Sequence, residues 1–531
     1  MAGETEKIAV GEIFVTSGYP SYTFVPPVVY PKLKNALRQR TGGIVVEGPS
    51  GIGKTVAVTR ALQEIGPDQA ATTLSARDPG ARERIEAVAE SQPPGTWIIE
   101  DFHHLPPSLK TALADSIKLL ADQSDPGCKV VLVGINNAGQ SLLHGASSDL
   151  LTRITIVQFE RNPDESVDEL INLGEQWLNI QIPDHDRVIA EARGSFLLAQ
   201  LLCRAACDAA GLTEEHPVNE EPRMLDVELG QVVDGVLEDL GLQFRDVCRR
   251  FARGKKPKRA GRAPYLQCLR WLAEGNEWSI QLDRAADLNP RYKGSVIQIL
   301  RKDFLAEHIG GDPDVVKLIH LSDENFLSVE DPRFVFYLRH IDWAKYRAEI
   351  GFGPESSATY DFALSFAAPQ RELARGLYDA LTAGGFGVFF DEVERDRMLG
   401  QDLRSYLAPI YASGAEFVLV ILGREYPKRY WTAFEQDQYQ GRIDEGTVIP
   451  IWSADDSPAF ESELTGKGGI QFSSLSPELE ELDRAAEDLG RALERRVSAE
   501  EPGDQQPLVA PAEGPNPAVV GQSDSTRGGT G

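Results

Sequence analysis

Cysteine is scarce in this chain: five residues in 531, at positions 128, 203, 207, 248 and 268. The number is odd, and the one close pair, Cys203 and Cys207, is spaced C-x-x-x-C inside a helical pattern. A disulfide framework is therefore excluded, and the pattern is that of reduced, buried thiols, which sets the expected location as cytoplasmic. Long apolar runs are also missing. No stretch approaches the ~18 residues a membrane-spanning helix needs, and the opening MAGETEKIAV has neither the basic flank nor the apolar core of an export signal. The expectation is a protein neither secreted nor embedded in a membrane. Basic residues are in deficit: 54 Lys+Arg against 81 Asp+Glu leave a net charge of −27. A field of that sign repels nucleic acid and anionic lipid at long range, so a partner of either kind would need a local basic patch. Repeats of 20 to 50 residues are absent, which removes the solenoid arrays that often serve as sensors.

What is present divides into blocks. At roughly 150 residues per domain the length suggests about three or four domains. In residues 1–160, short β-rich runs (Gly43 to Glu47, Trp97 to Glu100, Lys129 to Gly134) alternate with helical stretches, the pattern of a parallel α/β sheet. Residues 161–248 are mostly helical, with apolar residues at three- and four-residue spacing in SFLLAQLLCRAACDAA, and read as a helical lid. Residues 249–262 hold eight basic residues in fourteen and read as an exposed linker. Residues 263–350 run helix, helix, helix and then two strand-like pieces, VVKLIHL and FLSVEDP, the order of a winged helix. After the Gly/Pro/Ser stretch IGFGPESS, residues 358–497 return to strand–helix alternation in a flavodoxin-like order. The last segment, 498–531, carries five Pro and six Gly and is expected to be disordered.

The strongest local signal is GPSGIGKT, with Gly48, Pro49, Ser50, Gly51, Ile52, Gly53, Lys54 and Thr55 in the G-x4-G-K-S/T pattern, after the strand-like Ile44–Glu47 and opening a helix. Such a loop curls its backbone amides around phosphate oxygens and adds the positive potential of a helix N-terminus. Lys54 is placed to reach the β- and γ-phosphates, and Thr55 to hold Mg²⁺ through its hydroxyl. ATP or ADP with Mg²⁺ is the expected ligand. The strand Thr96–Ile99 ends in Glu100 and Asp101, where a carboxylate for the Mg²⁺ shell and another for water are wanted. Related ATPases usually place Asp first, so Glu-Asp is a departure that favours slow turnover. Asn136 stands where the AAA+ and STAND ATPases, which this block resembles, carry a polar sensor of the γ-phosphate, or is an ordinary turn residue. Arg153 would contact phosphate from its own or a neighbouring subunit, or is a surface arginine. His103 and His104 have no Cys or His at ligand spacing, so no metal other than Mg²⁺ with the nucleotide is expected, and both are expected to pack near the nucleotide.

On these motifs residues 8–343 resemble the STAND branch of AAA+-like ATPases, signalling switches with a nucleotide-binding core, a lid and a winged helix. GSFLLAQLLC resembles the lid helix after a G-x-P motif in that family, with Phe196 where Pro is common. The resemblance implies a form closed by ADP that opens into an oligomer on ATP exchange.

In the C-terminal block YDFALSFA, FGVFFDEVERDRMLGQDL, FVLVILGREYPKRYWTAFE and VIPIW occur in the order and spacing of TIR domains, and resemble the bacterial group. The final helix is expected to begin with a Ser476 cap and Pro477 in its first turn, burying Leu479, Leu482, Leu489 and Leu493 on one face. The resemblance implies NAD⁺ cleavage by a Glu in a W-x-x-x-E setting, here Trp431 and Glu435, which share a helical face at i and i+4. Breaking the nicotinamide–ribose bond needs no acid for the leaving group, because the pyridinium departs neutral, but it does need a carboxylate beside the oxocarbenium-like ribose. Glu435 is the candidate for that role. Phe366, with Phe390 or Asp391 and with Trp431, would wall the pocket, and the loop 391–401 would gate it and mediate contacts between TIR units. Gly423 and Thr432 depart from the Ser and Cys frequent in the family. The bland reading of Glu435 is an exposed helix residue on an adaptor.

The whole reads as an α/β multidomain protein: a P-loop core with lid and winged helix, followed by a flavodoxin-like TIR domain. Its expected function is that of a nucleotide-controlled TIR effector that self-assembles and cleaves NAD⁺. The resemblance adds a role in bacterial antiphage defence, released by a trigger the sequence does not name. Two alternatives stay open, a non-enzymatic TIR scaffold assembled by the ATPase and a winged-helix regulator that binds nucleic acid through the basic stretch 249–262.

Overall fold

The computed structural model describes residues 7–500 outside the short segments 40–42, 67–70, 124–126, 136–152, 218–219, 255–261, 276, 354–357, 394–397, 401, 425–434, 437, 457–463 and 465. The expectations for Asn136, Trp431, Thr432 and the tail from 501 onward lie outside the described residues.

The first sheet is parallel, in the order β2-β3-β4-β1-β5. Its strands are β1 (Gly43–Glu47), β2 (Ala71–Ser75), β3 (Gly95–Glu100), β4 (Cys128–Gly134) and β5 (Ile154–Gln158). All of β1 is buried, as a strand covered by helices on both faces must be, and its sequence GIVVE shows no alternation. Because β4 lies between β1 and β3, the carboxyl ends of these strands converge, with Glu47 level with Gly134 and Glu100 level with Val133. The phosphate loop and the acidic pair therefore meet at one edge of the sheet.

The lid comprises the helices Asp164–Leu178, His185–Ala192 and Phe196–Ala209 with a two-residue parallel pair, β6 (Ile180–Gln181) and β7 (Arg223–Met224). Cys203 and Cys207 are fully buried free thiols. Burial pushes both thiols up, Cys207 to about 12, so they are inert packing groups.

The long helix Leu229–Arg253 corrects the expectation of an exposed linker over 249–262. It runs through the first of the basic residues and buries Phe251 and Ala252, while Arg249, Arg250 and Arg253 lie on its outer surface or edge. At the other end of the stretch Arg262 is 2% exposed. A charge run is ordinarily a solvated segment, but here helix continuation and a buried ion pair take residues from both of its ends; positions 255–261 lie outside the described residues.

Next come the helices Pro264–Glu274, Leu282–Leu288 and Pro290–Arg301 and an antiparallel sheet, β8-β10-β9, made of β8 (Ser279–Gln281), β9 (Ile319–Leu321) and β10 (Phe326–Val329). The expected order of helices and wing strands is present; the three-residue β8 is too short to carry a periodic signal. One continuous apolar core joins the lid, this unit and one face of the first sheet.

The C-terminal sheet is parallel, in the order β12-β11-β13-β14-β15, with β11 (Tyr360–Phe366), β12 (Val388–Phe389), β13 (Ala415–Ile421), β14 (Val448–Ser453) and β15 (Ile470–Phe472). Strand alternation divides β11. Phe362 and Leu364 face a core shared with the helices Arg371–Ala383 and Leu479–Glu500, whereas Ala363 joins the opposite core with Tyr411 and Tyr439. The last helix begins at Leu479, later than expected, because Ser476 Oγ donates to Glu372 at 2.8 Å instead of capping. Leu482, Leu489 and Leu493 are buried, but Leu479, the first residue of the helix, is 69% exposed.

A buried ion pair ties this sheet to the preceding unit. Arg262 donates to Asp361 at 2.7 and 2.5 Å, both residues are 2% exposed, and the Gly387 amide donates to the same carboxylate at 2.7 Å. Among the described residues, no helix is long and apolar enough to cross a membrane.

Candidate functional site

Two sites emerge. The first is the phosphate loop. Gly48, Gly51 and Gly53 have φ of +152°, +71° and +93°, so the loop uses backbone conformations that side chains strain. At Gly48 a Cβ would also stand 2.5 Å from the Phe159 carbonyl oxygen. Gly53 caps the helix Lys54–Ile65, leaving its first amides directed into a cavity of about 360 Å³. Ser50, Gly51, Gly53, Lys54, Thr55, Glu100 and Asp101 all line that cavity. Lys54 Nζ donates to the carbonyls of Gly48 at 2.9 Å and Pro49 at 2.6 Å. Burial brings its ammonium down to about 8, against the pull of Asp101, Glu330 and Glu100; a phosphate would restore the charge. Thr55 Oγ1 donates to Glu100 at 2.5 Å. A hydroxyl and a carboxylate in contact are the hard oxygen donors that suit Mg²⁺, so Thr55 and Glu100 would hold it, where it would neutralise phosphate charge.

Asp101, in left-handed backbone at φ +54°, turns its carboxylate to Arg77 at 2.9 Å. Arg153 is brought elsewhere. Its carbonyl accepts from Gly43, the first residue of β1, and its guanidinium pairs with Asp122 at 3.1 Å. It thus sits at the amino edge of the strands, across the sheet from the phosphate loop, and the expected same-chain phosphate contact is corrected: a strand's length intervenes.

Several residues at this site escaped the sequence reading. Leu197 N donates to Gly51 O at 3.2 Å and Asn162 to Ile52 O at 3.3 Å, so the lid grips the loop. Phe196, where the resemblance expects Pro, opens its helix behind a Ser195 cap and lines the cavity. Glu330, just past β10, reaches the cavity from the winged unit. Its Oε2 accepts from Arg77 at 2.5 Å, and its Oε1 lies 2.8 and 3.0 Å from the Nε2 atoms of His103 and His104. Burial alone would raise the Glu330 carboxyl, but hydrogen bonds from both histidines and the Arg77 charge outweigh it and hold it low. The expectation that His103 and His104 lack histidine partners is also corrected, since His320 of β9 packs on both rings. More than 200 residues of chain separate it from them, so no local spacing could have revealed it.

The second site is on the C-terminal sheet. Glu435 is 9% exposed, and its Oε2 accepts from Ser365 Oγ at 2.5 Å. Burial pushes its carboxyl up to about 8, helped by Asp391, while hydrogen bonds with Ser365 and Tyr411 work against the shift. Tyr411 is fixed by donating to Leu364 O at 2.8 Å. Asp391, also raised by burial, has a buried Oδ1 with no partner among the described residues. Glu435 and Asp391 are thus brought together, as two carboxyls that resist ionising at once. Glu435 is not the exposed helix residue of the bland reading.

Phe366 and Phe390 are placed otherwise than expected. Their rings lie 5.5 Å apart, and both pack with Leu364 and Phe362 on the face opposite Ser365. Phe390 is 1% exposed and is a core residue. Period-two alternation explains this: position 365, not 366, faces Glu435. A lone Ser in the apolar strand YDFALSF was the available signal. Gly423 stands where a Cβ would meet the side-chain ends of Gln370 and Asp456, which are hydrogen-bonded to each other, so the Ser frequent in the family would have to displace that pair.

Residues 362–489 match the family model described as TIR domain. This part of the chain is a TIR domain. It is 34% identical over 123 residues to a 3′ cyclic ADP-D-ribose synthase, AaTIR, of Aquimarina amphilecti; the match takes in 23% of this chain and 38% of that protein. The chain therefore spans about two fifths of the length of the curated relative it matches. Among solved structures, the Thermotoga maritima RuvB Holliday junction branch migration motor is 14% identical with a TM-score of 0.32, covering 63% of this chain and all of that one. The ORC2 protein of Aeropyrum pernix, in ADPNP–ADP complexes, is 11% identical with a TM-score of 0.33, covering 63% and 98%.

Proposed function

We propose that the protein is a nucleotide-controlled TIR enzyme that cleaves the nicotinamide–ribose bond of NAD⁺ at Glu435. The observation that carries the reading is the buried Glu435 carboxyl, held by Ser365 beside Asp391 within the TIR domain. The activity in the name of the Aquimarina amphilecti relative supports the same chemistry.

In this reaction the C–N bond between ribose C1′ and the pyridinium nitrogen breaks, and its electron pair leaves with neutral nicotinamide. The C1′ cation is captured by water, which loses a proton and gives ADP-ribose, or by a hydroxyl of the same molecule, which loses its proton and gives a cyclic product. Glu435 as carboxylate accepts hydrogen bonds from the ribose hydroxyls and stabilises the developing positive charge in a site with little water to screen it. A cationic nicotinamide ribosyl group beside two resisting carboxyls favours ionisation of Glu435 at the moment it is needed. Ser365 orients the carboxylate.

The phosphate loop serves as the switch. ATP bound by the Gly48–Thr55 loop, with Mg²⁺ at Thr55 and Glu100, would be read by the lid through Leu197 and Asn162 and by the winged unit through Glu330. Self-assembly then brings TIR domains together, and a role in antiphage defence fits such a switch. NAD⁺ turnover and particle size measured together, with and without ATP, test the reading. Glu435→Ala should stop NAD⁺ loss while leaving ATP binding and assembly intact, and Lys54→Ala should abolish ATP-dependent assembly. Unchanged NAD⁺ loss in Glu435→Ala would overturn the site.

A further inference from the structure

We infer that His103, His104, His320 and Glu330 form a binding site for one divalent transition ion of the zinc class, strapping the winged unit to the nucleotide-binding core. One donor atom from each of the four lies within 4.8 Å of all the others. The imidazole rings sit in a triangle, with centroids 4.4 Å apart for His103 and His104, 4.9 Å for His103 and His320, and 5.4 Å for His104 and His320. Around a tetrahedral ion with metal–nitrogen distances of about 2.0–2.1 Å, donor atoms stand about 3.4 Å apart. A pair at the 4.8 Å limit would close by about 1.4 Å, and the Glu330–histidine pairs at 2.8 and 3.0 Å would open slightly, with no change of fold.

Three features set it apart from a chance group of polar side chains. His103 is 3% exposed, and its Nδ1 has no hydrogen-bond partner among the described residues, a polar atom buried without return. Glu330 divides its two oxygens: Oε1 faces the imidazoles, and Oε2 is held by Arg77 at 2.5 Å. That is how an outer partner fixes a ligating carboxylate. The donor set, three imidazoles and one carboxylate, is also one that suits zinc and its neighbours over Mg²⁺ or Ca²⁺.

The placement gives the ion a structural task. His103 and His104 stand one residue beyond Glu100 and Asp101, after Phe102, at the end of β3, whereas His320 is on β9 and Glu330 follows β10. Arg77 bridges the two groups, pairing with Asp101 at 2.9 Å as well as with Glu330. An ion here would lock the winged unit against the strand that carries the Mg²⁺-binding carboxylate. Any shift of Asp101 on nucleotide exchange would reach the ion through a single guanidinium.

The test uses the full chain, stripped with a chelator and dialysed against zinc alone, with metal content measured by atomic emission and affinity by competition with a chromophoric chelator. Wild type should retain one zinc per chain. Lys54→Ala and Glu100→Gln, which alter the nucleotide pocket, should retain it too. His104→Ala and His320→Ala should bind at least about tenfold more weakly, and Arg77→Ala about 10- to 100-fold more weakly, the range for loss of an outer partner. Cobalt in place of zinc should give the visible absorption of a tetrahedral site in wild type and lose it in His104→Ala. His104 is the least buried of the histidines joined to Glu330, so its variant keeps the test valid should His320→Ala fail to fold. Absence of stoichiometric zinc in wild type, or full affinity in folded His104→Ala, would overturn the proposal.

Discussion

Replacing Ser365 by Ala removes one hydroxyl donor from Glu435 at nearly constant shape in a fully buried position. A hydrogen bond to a charged acceptor contributes about 1.5–3 kcal/mol, which at 1.36 kcal/mol per pH unit raises the carboxyl by about one to two units. From about 8 the group would move to about 9–10 in the variant, with the Tyr411 hydroxyl proton still given to Leu364 O. At pH 7 the ionised fraction, about a tenth in wild type, would fall by about 10- to 100-fold, and at pH 9 by only about 2- to 10-fold. The assay is kcat/KM for nicotinamide release across pH 6–10, because that ratio reports the free enzyme's essential group. The reasoning predicts a deficit that shrinks as pH rises. A deficit of equal size at every pH would mean that Ser365 holds geometry and not charge, and no deficit at all would remove Ser365 from the site.

The raised Glu435 carboxyl also predicts a stability slope: folded protein keeps a proton that the unfolded chain releases between about 4.5 and 8, so stability falls as pH rises through that window, by up to about 1.4 kcal/mol per unit. Glu435→Gln should flatten that slope in thermal melts recorded from pH 5 to 8; parallel slopes would contradict it. Asp361→Asn leaves the Arg262 charge buried without its partner and should cost about 3–5 kcal/mol in denaturant unfolding, whereas pairing Asp361→Leu with Arg262→Met should recover most of the loss. Faster amide exchange at Gly387, whose amide donates to Asp361, in the single variant would show that the TIR domain has loosened from the winged unit. Gly48→Ala combines a φ of +152° with a contact against Phe159 O and should lower stability by about 1–3 kcal/mol and abolish ATP binding, read by fluorescent-nucleotide titration.

Local order was legible wherever chemistry and backbone act over a few residues. GPSGIGKT announced its loop because glycine spacing, a preceding strand and a following helix are all local, and the loop has the conformations that its glycines allow. The TIR strands were legible for the same reason, as apolar runs between turns. Glu435 could be named from its setting, but its burial and its raised carboxyl could not, because they depend on Ser365, Tyr411 and Asp391 arriving from three other segments. Strand alternation by itself puts Ser365, and not Phe366, on the face of Tyr411 and Tyr439, where Glu435 lies.

Periodicity and residues adjacent in the chain thus suffice for the alternation of strands and helices and for the glycine spacing of the phosphate loop, and the TIR resemblance for the candidacy of Glu435. The tertiary structure alone decided what the charged residues meet. It turned Arg262 from linker into buried anchor, set Arg153 at the far edge of its sheet, and gathered His103, His104, His320 and Glu330 into one cluster across more than 200 residues. Burial and electrostatics depend on distance in space, and separation along the chain does not encode it.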